Sequence, residues 1–227
     1  MFVYSLAGLQ VDGDALPEVE LEDNETTART GVYQLLSRLV SLPDADIHAK
    51  AAAGEWPGEL AEAGKLLGFP FDFGAPGDNG IGTFEDFQAE FLRLFEVGGG
   101  TDGPPAPIYG GLYAAGRMQR MEEVVRFYEY FGLTVSAEDP RPADHIATEL
   151  EFMKYLTFKE AVSSSPRLQV SFRRAQHDFL DRQLAWVPEL AERTRAANGA
   201  PYWQWVTSTV AGFVAADAAY IAGVLAQ

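Results

Sequence analysis

From Glu25 onward, apolar residues return at three- and four-residue steps, the spacing that lines one face of a helix. Val32, Leu35, Leu36, Leu39 and Val40 form the first such stripe, and Pro43 ends it. The stretches "DADIHAKAAAGEW" and "PGELAEAGKLLGF" predict two short helices, followed by the turn-rich "FPFDFGAPGDNGIG". "TFEDFQAEFLRLFEV" is the cleanest helical pattern: Thr83 is placed as N-cap, and Phe84, Phe87, Phe91, Leu94 and Phe95 make the stripe. "RMQRMEEVVRFYEYFG" predicts a helix with Gly132 just past its end. Residues 142–162 predict another, and Pro166 can open the next at its first position. That helix is expected to kink or break at Pro188, and a last one starts near Tyr202 after "NGAP".

No segment alternates with period two, and neither repeats nor low-complexity tracts occur. The expected fold class is all-α: a single-domain helical bundle of about eight helices over residues 25–227, preceded by an acidic, irregular arm at 1–24. The glycine- and proline-rich segment at 98–111 is the one candidate hinge.

Composition adds exclusions. Net charge is −16, which disfavours nucleic acid as a partner and favours solubility and basic partners. A generic acidic surface, suited to a salt-rich cytoplasm, explains it equally well. The absence of cysteine removes disulfides, thiol nucleophiles and Cys-ligated metal centres. The N-terminal "MFVYSLAGLQVDGD" makes a poor signal peptide, lacking a basic start. No run of about 18 apolar residues predicts stable membrane insertion. The closest, "VAGFVAADAAYIAGVLAQ", carries Asp217 and reads as a buried helix. Trp203 and Trp205 read as core and surface, respectively.

The histidine-poor chain places His145 beside Asp144 where "RPADHIATELEFM" turns from loop into helix. His145 and Glu149 share a helical face and could ligate a divalent metal, with Asp144 nearby. A third close ligand and an H-E-x-x-H signature are missing. Otherwise, Asp144 caps the helix while His145 braces backbone, or the two display an acceptor and a donor for recognition. "VGGGTDG" lacks the lysine and hydroxyl of a phosphate loop. Phe91, Leu94 and Phe95 are core by default, yet they run into the glycine loop and could floor an apolar groove.

Three blocks together resemble a known family. "EFLRLFEVGG…PPAPIYGGLY", "PADHIATELEFM" and "QHDFLDRQLAWVP", in this order and over most of residues 83–190, look like the TorD/DmsD/NarJ-like redox-enzyme maturation chaperones. The wording "ELEFM" and the longer N-terminal portion are most similar to members serving type II dimethyl-sulfoxide-reductase-family enzymes. The resemblance implies a cytoplasmic, non-enzymatic, TorD-like helical chaperone. Such proteins bind the twin-arginine signal peptide of a molybdoenzyme's catalytic subunit and delay export until molybdopterin guanine dinucleotide is inserted into it. The implied peptide-binding residues are Phe91, Leu94, Phe95, Gly110, Tyr113, Asp144 and His145, with no catalytic, cofactor-binding or metal residue and no stably bound cofactor. Many relatives carry histidine where this chain has Gln183, so that position's role does not transfer. The competing readings are a permanently bound accessory subunit of a respiratory complex and a metal-dependent hydrolase using His145, Glu149 and Asp144. A homodimer is left open.

Overall fold

The computed structural model describes residues 8–11, 21–77, 80–98, 103–137, 139 and 141–227. Its helices are α1 (Glu25–Leu39), α2 (Ala45–Ala53), α3 (Trp56–Ala63), α4 (Phe84–Phe91), α5 (Arg117–Tyr130), α6 (Ile146–Ala161), α7 (Pro166–Gln183), α8 (Val187–Ala196) and α9 (Pro201–Leu225). The all-helical expectation holds for the class, with one addition. Strands β1 (Leu9–Val11) and β2 (Leu133–Val135) pair antiparallel, Gln10 opposite Thr134. Three residues are too few to show alternation, and the partner strand is far along the chain, so the sequence hid the pair. Residues 9–11 of the expected irregular arm are therefore strand, while 1–7 and 12–20 lie outside the described residues.

Several ends form where their residue chemistry places them. Thr83 and Asp86 make a reciprocal capping box on α4. Pro166 opens α7, where its missing N–H costs nothing. Gly132 follows α5 at φ +68°, donating to the Glu129 carbonyl. Pro188 falls in the first turn of α8, so it starts a helix after a break at 184–186. The helix expected at 142–162 begins only at Ile146.

At the centre lies α6, along which α1 packs most extensively, with α7 on another side and α8 and α9 beyond. All but two of its sixteen residues are buried, among them Thr148, Glu149, Glu151, Lys154, Thr157 and Glu160. Buried polar groups demand partners. Glu151 accepts from the Gly8 amide at 2.7 Å and Arg141 at 3.2 Å, and Glu160 from Arg173 at 2.5 Å and Gln176 at 2.8 Å. A second buried cluster ties α1 to α9. Asp217 receives two bonds from Arg29, at 2.6 and 3.0 Å, and one from the Tyr33 hydroxyl at 2.6 Å. α9 is long and apolar enough to span a membrane by length and composition, but Asp217 is fully buried in this ion pair. Trp205, expected at the surface, is 8% exposed, because the Phe73 carbonyl accepts its indole N–H at 2.8 Å.

Candidate functional site

Helical backbone does not stop where α4 ends at Phe91. The chain continues through a π turn, Leu92–Glu96, closed by the Val97 amide on the Leu92 carbonyl at 2.7 Å. Phe91, Leu94 and Phe95 all point inward, and the Phe91 and Phe95 rings meet Trp203 of α9 at 5.3 and 5.8 Å. The face read as a possible groove floor is thus filled by an indole.

The segment after the turn is pinned to this helix and to the start of α6. The Ala106 amide donates to the Leu94 carbonyl at 2.9 Å, and the Ile146 amide to the Ile108 carbonyl at 3.0 Å. Tyr109 bridges to His145, and the Gly110 amide donates to the Asp144 carbonyl at 2.9 Å. Residues 99–102 of the expected hinge lie outside the described residues.

Asp144 is not the helix cap. Its Oδ2 accepts the Gly111 amide at 2.9 Å, so the aspartate anchors the loop. The cap is His145, whose Nδ1 accepts the Ala147 amide at 3.1 Å. An accepting Nδ1 carries no proton, so the ring is neutral, with its proton on Nε2, 3.9 Å from a Glu96 oxygen. Burial holds its pKa down at about 3, Arg141 adds to this and Asp139 opposes it. Glu96 also accepts the Tyr109 hydroxyl. Neither member of the Asp-His pair is displayed at the surface: Asp144 is 0% and His145 2% exposed, covered by the 106–111 loop.

The loop needs glycine for a visible reason. A Cβ at Gly110 would stand 2.5 Å from the Arg120 guanidinium, and one at Gly111 2.8 Å from Asp144 Oδ2. Arg120 is a residue that sequence reasoning missed. It pairs with Glu149 at 2.9 Å and donates to the Gln183 carbonyl at the end of α7, joining α5, α6 and α7 beneath the loop. Trp186 completes the group, its indole N–H donating to the other Glu149 oxygen at 3.1 Å. Burial pushes the Glu149 carboxyl up to about 8, with Arg120 and Trp186 pulling back. Tyr113 is half-buried. Its ring lies 4.6 Å from the Trp186 ring, with the Arg193 guanidinium 4.4 Å from its centre and its hydroxyl on the Pro107 carbonyl at 2.8 Å. Only the third block's "AW" hinted at this; Arg120 and Arg193 lie in no motif.

The seven residues singled out in the sequence therefore gather in one region, six of them buried and Tyr113 partly open. His145 and Glu149 turn to different partners, Glu149 to Arg120 and Trp186, His145 to backbone. Among the described residues no group of three or more His, Asp or Glu side chains is placed to hold a metal ion.

The region is thus a glycine loop clamped between a π turn and the mouth of the central helix of a helical bundle. The model of the family described as "Nitrate reductase delta subunit" matches residues 79–192, half of the chain and all seven of the residues singled out in the sequence, and the chain belongs to that family. It is 35% identical to the selenate reductase assembly chaperone protein of Thauera selenatis over 184 residues, covering 79% of this chain and 83% of that protein. The perchlorate reductase assembly chaperone protein of Dechloromonas aromatica (strain RCB) is 34% identical, with 73% of this chain and 77% of that one covered. The chlorate reductase assembly chaperone protein of Ideonella dechloratans is 33% identical, with 78% and 82% covered.

Proposed function

We propose that this chain is a system-specific assembly chaperone for a molybdenum-dependent reductase, and not itself an enzyme. In this reading it works in the cytoplasm, binds the twin-arginine signal peptide of the client's catalytic subunit and holds back export until molybdopterin guanine dinucleotide has been inserted into the client. The observation that carries it is the similarity to three reductase assembly chaperones, each covering more than two thirds of both chains. The chemistry of the chain supports it. A cationic peptide start is drawn to a protein of net charge −16. The anchored loop offers Leu112, 40% exposed, and the open edge of Tyr113 as apolar contacts.

In the same reading Asp144 and His145 are positioning residues. Asp144 fixes Gly111, and His145 fixes the first turn of α6, so that the loop keeps one shape. An arginine of the peptide would reach Asp144 only after the loop lifts and the Gly111 amide lets go. The glycine- and proline-rich segment at 98–111 is the proposed hinge for that movement.

Titration calorimetry of the purified chain with the twin-arginine signal peptide of a molybdoenzyme catalytic subunit from the same organism tests the reading. The expected result is a saturable one-to-one complex lost when both arginines of the peptide are replaced by glutamine. A chain that binds neither this peptide nor the cofactor-free client would overturn it.

A further inference from the structure

Positive charge is unevenly placed in this chain. Residues 1–116 hold five basic against nineteen acidic side chains, a net of −14, and residues 117–227 hold twelve against fourteen, a net of −2. Between α5 and α7 the balance reverses. An open groove of about 540 Å³ runs there, lined by Phe127, Tyr130, Phe131, Arg126, Arg174 and Arg182, with the carboxylates of Glu123 and Asp178 in the lining and that of Glu122 beside it.

Tyr130 is 83% exposed although it sits on a regular helix, its ring 5.1 Å from Phe131. Arg182 lies 5.7 Å from the centre of the Phe127 ring and is shared between Glu123 at 3.5 Å and Asp178 at 3.4 Å. Arg126 pairs along its own helix with Glu122 at 3.2 Å. Arg174 makes no ion pair among the described residues. Aromatic rings and arginines without lysine are the composition of a binding hot spot, since both give large contact area at little ordering cost. Phe131 continues the aromatic lining inward to Phe152 of the core, 5.7 Å away, which anchors the floor of the groove.

We infer that the α5–α7 groove is a docking surface for an acidic polypeptide segment of a partner protein, one that presents an apolar or aromatic side chain flanked by carboxylates. The apolar side chain would lie on Phe127 and Phe131 beside Tyr130, and the carboxylates would meet Arg174 and Arg126, where charge-assisted bonds to guanidinium form readily. A cationic signal peptide is the wrong charge for this groove, so the surface is distinct from the proposed signal-peptide region and does not rest on that reading. A second copy of this chain is disfavoured as occupant, because two bodies of −16 repel at long range whereas a short segment brings few charges.

The test uses the full chain and a fluorescein-labelled synthetic helical peptide with glutamates flanking leucine and phenylalanine on one face. A counterpart with glutamine for glutamate is the control, and both are followed by anisotropy at low salt. The acidic peptide should bind about tenfold tighter than its neutral counterpart, and Arg174→Glu should erase that preference. Tyr130→Ser should weaken both peptides alike. Both side chains are exposed, so unchanged melting temperatures are expected to accompany these losses. No binding by the wild type, equal affinity for the two peptides, or wild-type affinity in both variants would each overturn the inference. So would a parallel loss of twin-arginine peptide binding in Arg174→Glu, which would merge the groove with the signal-peptide region. A dimer in mass photometry that Arg174→Glu converts to monomer would assign the groove to a second copy and overturn it too.

Discussion

His145→Asn isolates the protonation of one buried ring. Asparagine is among the best N-caps, so the Ala147 amide keeps an acceptor and the helix keeps its start. What the variant loses is a titrating group. In the unfolded chain a histidine protonates near pH 6.5, whereas in the folded protein burial holds this one down at about 3. As pH falls below about 6.5 the unfolded state therefore takes up a proton that the native state refuses, and stability is lost progressively until about pH 3. At about pH 5 the loss corresponds to some 1.5 pKa units, or about 2 kcal/mol, against almost nothing at about pH 7.5. Urea denaturation of wild type and variant at about pH 7.5 and about pH 5 reads the effect as a double difference, which cancels the many carboxylates common to both. Relative to the variant, the wild type should be about 2 kcal/mol worse at the lower pH than at the higher. A difference that stays constant across the two conditions would refute the neutral, accepting imidazole and restore a charged ring paired with Glu96.

The other expectations concern the core and the loop. Asp217→Asn leaves Arg29 buried without its closest carboxylate and should cost about 3 kcal/mol or more in chemical denaturation; a loss under about 1 kcal/mol would mean that Glu160 and Gln176 suffice. Gly110→Ala presses a methyl into the Arg120 guanidinium and should destabilise by about 1–3 kcal/mol. Because the clash is with that one side chain, Gly110→Ala with Arg120→Ala should fall well short of the sum of the two single losses; strict additivity would place the strain elsewhere. Signal-peptide affinity should fall steadily as salt rises from about 0.05 to about 0.5 M, and a flat series would leave the acidity with no role in that encounter.

Local chemistry was legible in the sequence wherever a few neighbouring residues decide it. Thr83 with Asp86, Pro166, and Gly132 behind Tyr130 each satisfy or release backbone groups within four residues, and each stands where its pattern placed it. The Asp144-His145 pair shows the limit. Asp is the better cap by general preference, but the Gly111 amide, thirty-three residues away, also needs an acceptor and takes Asp144, so the neighbouring imidazole caps instead. The phenylalanines of α4 were readable as an inward face, but not what they face, because Trp203 arrives from the last helix. Arg120 carried no signal: its partners are 29 and 63 residues distant, and nothing in "RMQRMEEV" marks it off from a surface arginine.

The packing of α1 along α6 has a consequence for synthesis. During synthesis α1 finds its main neighbour only after more than a hundred further residues have been made, and β1 must wait as long for β2. Contacts so distant in sequence make folding slow and leave the early chain with its apolar side uncovered. A nascent chain ending before Ile146 would carry Val32, Tyr33 and Leu36 without the surface that buries them. The apolar side of α1 therefore stays uncovered until α6 has emerged, and the protein is most exposed to aggregation while it is still being made.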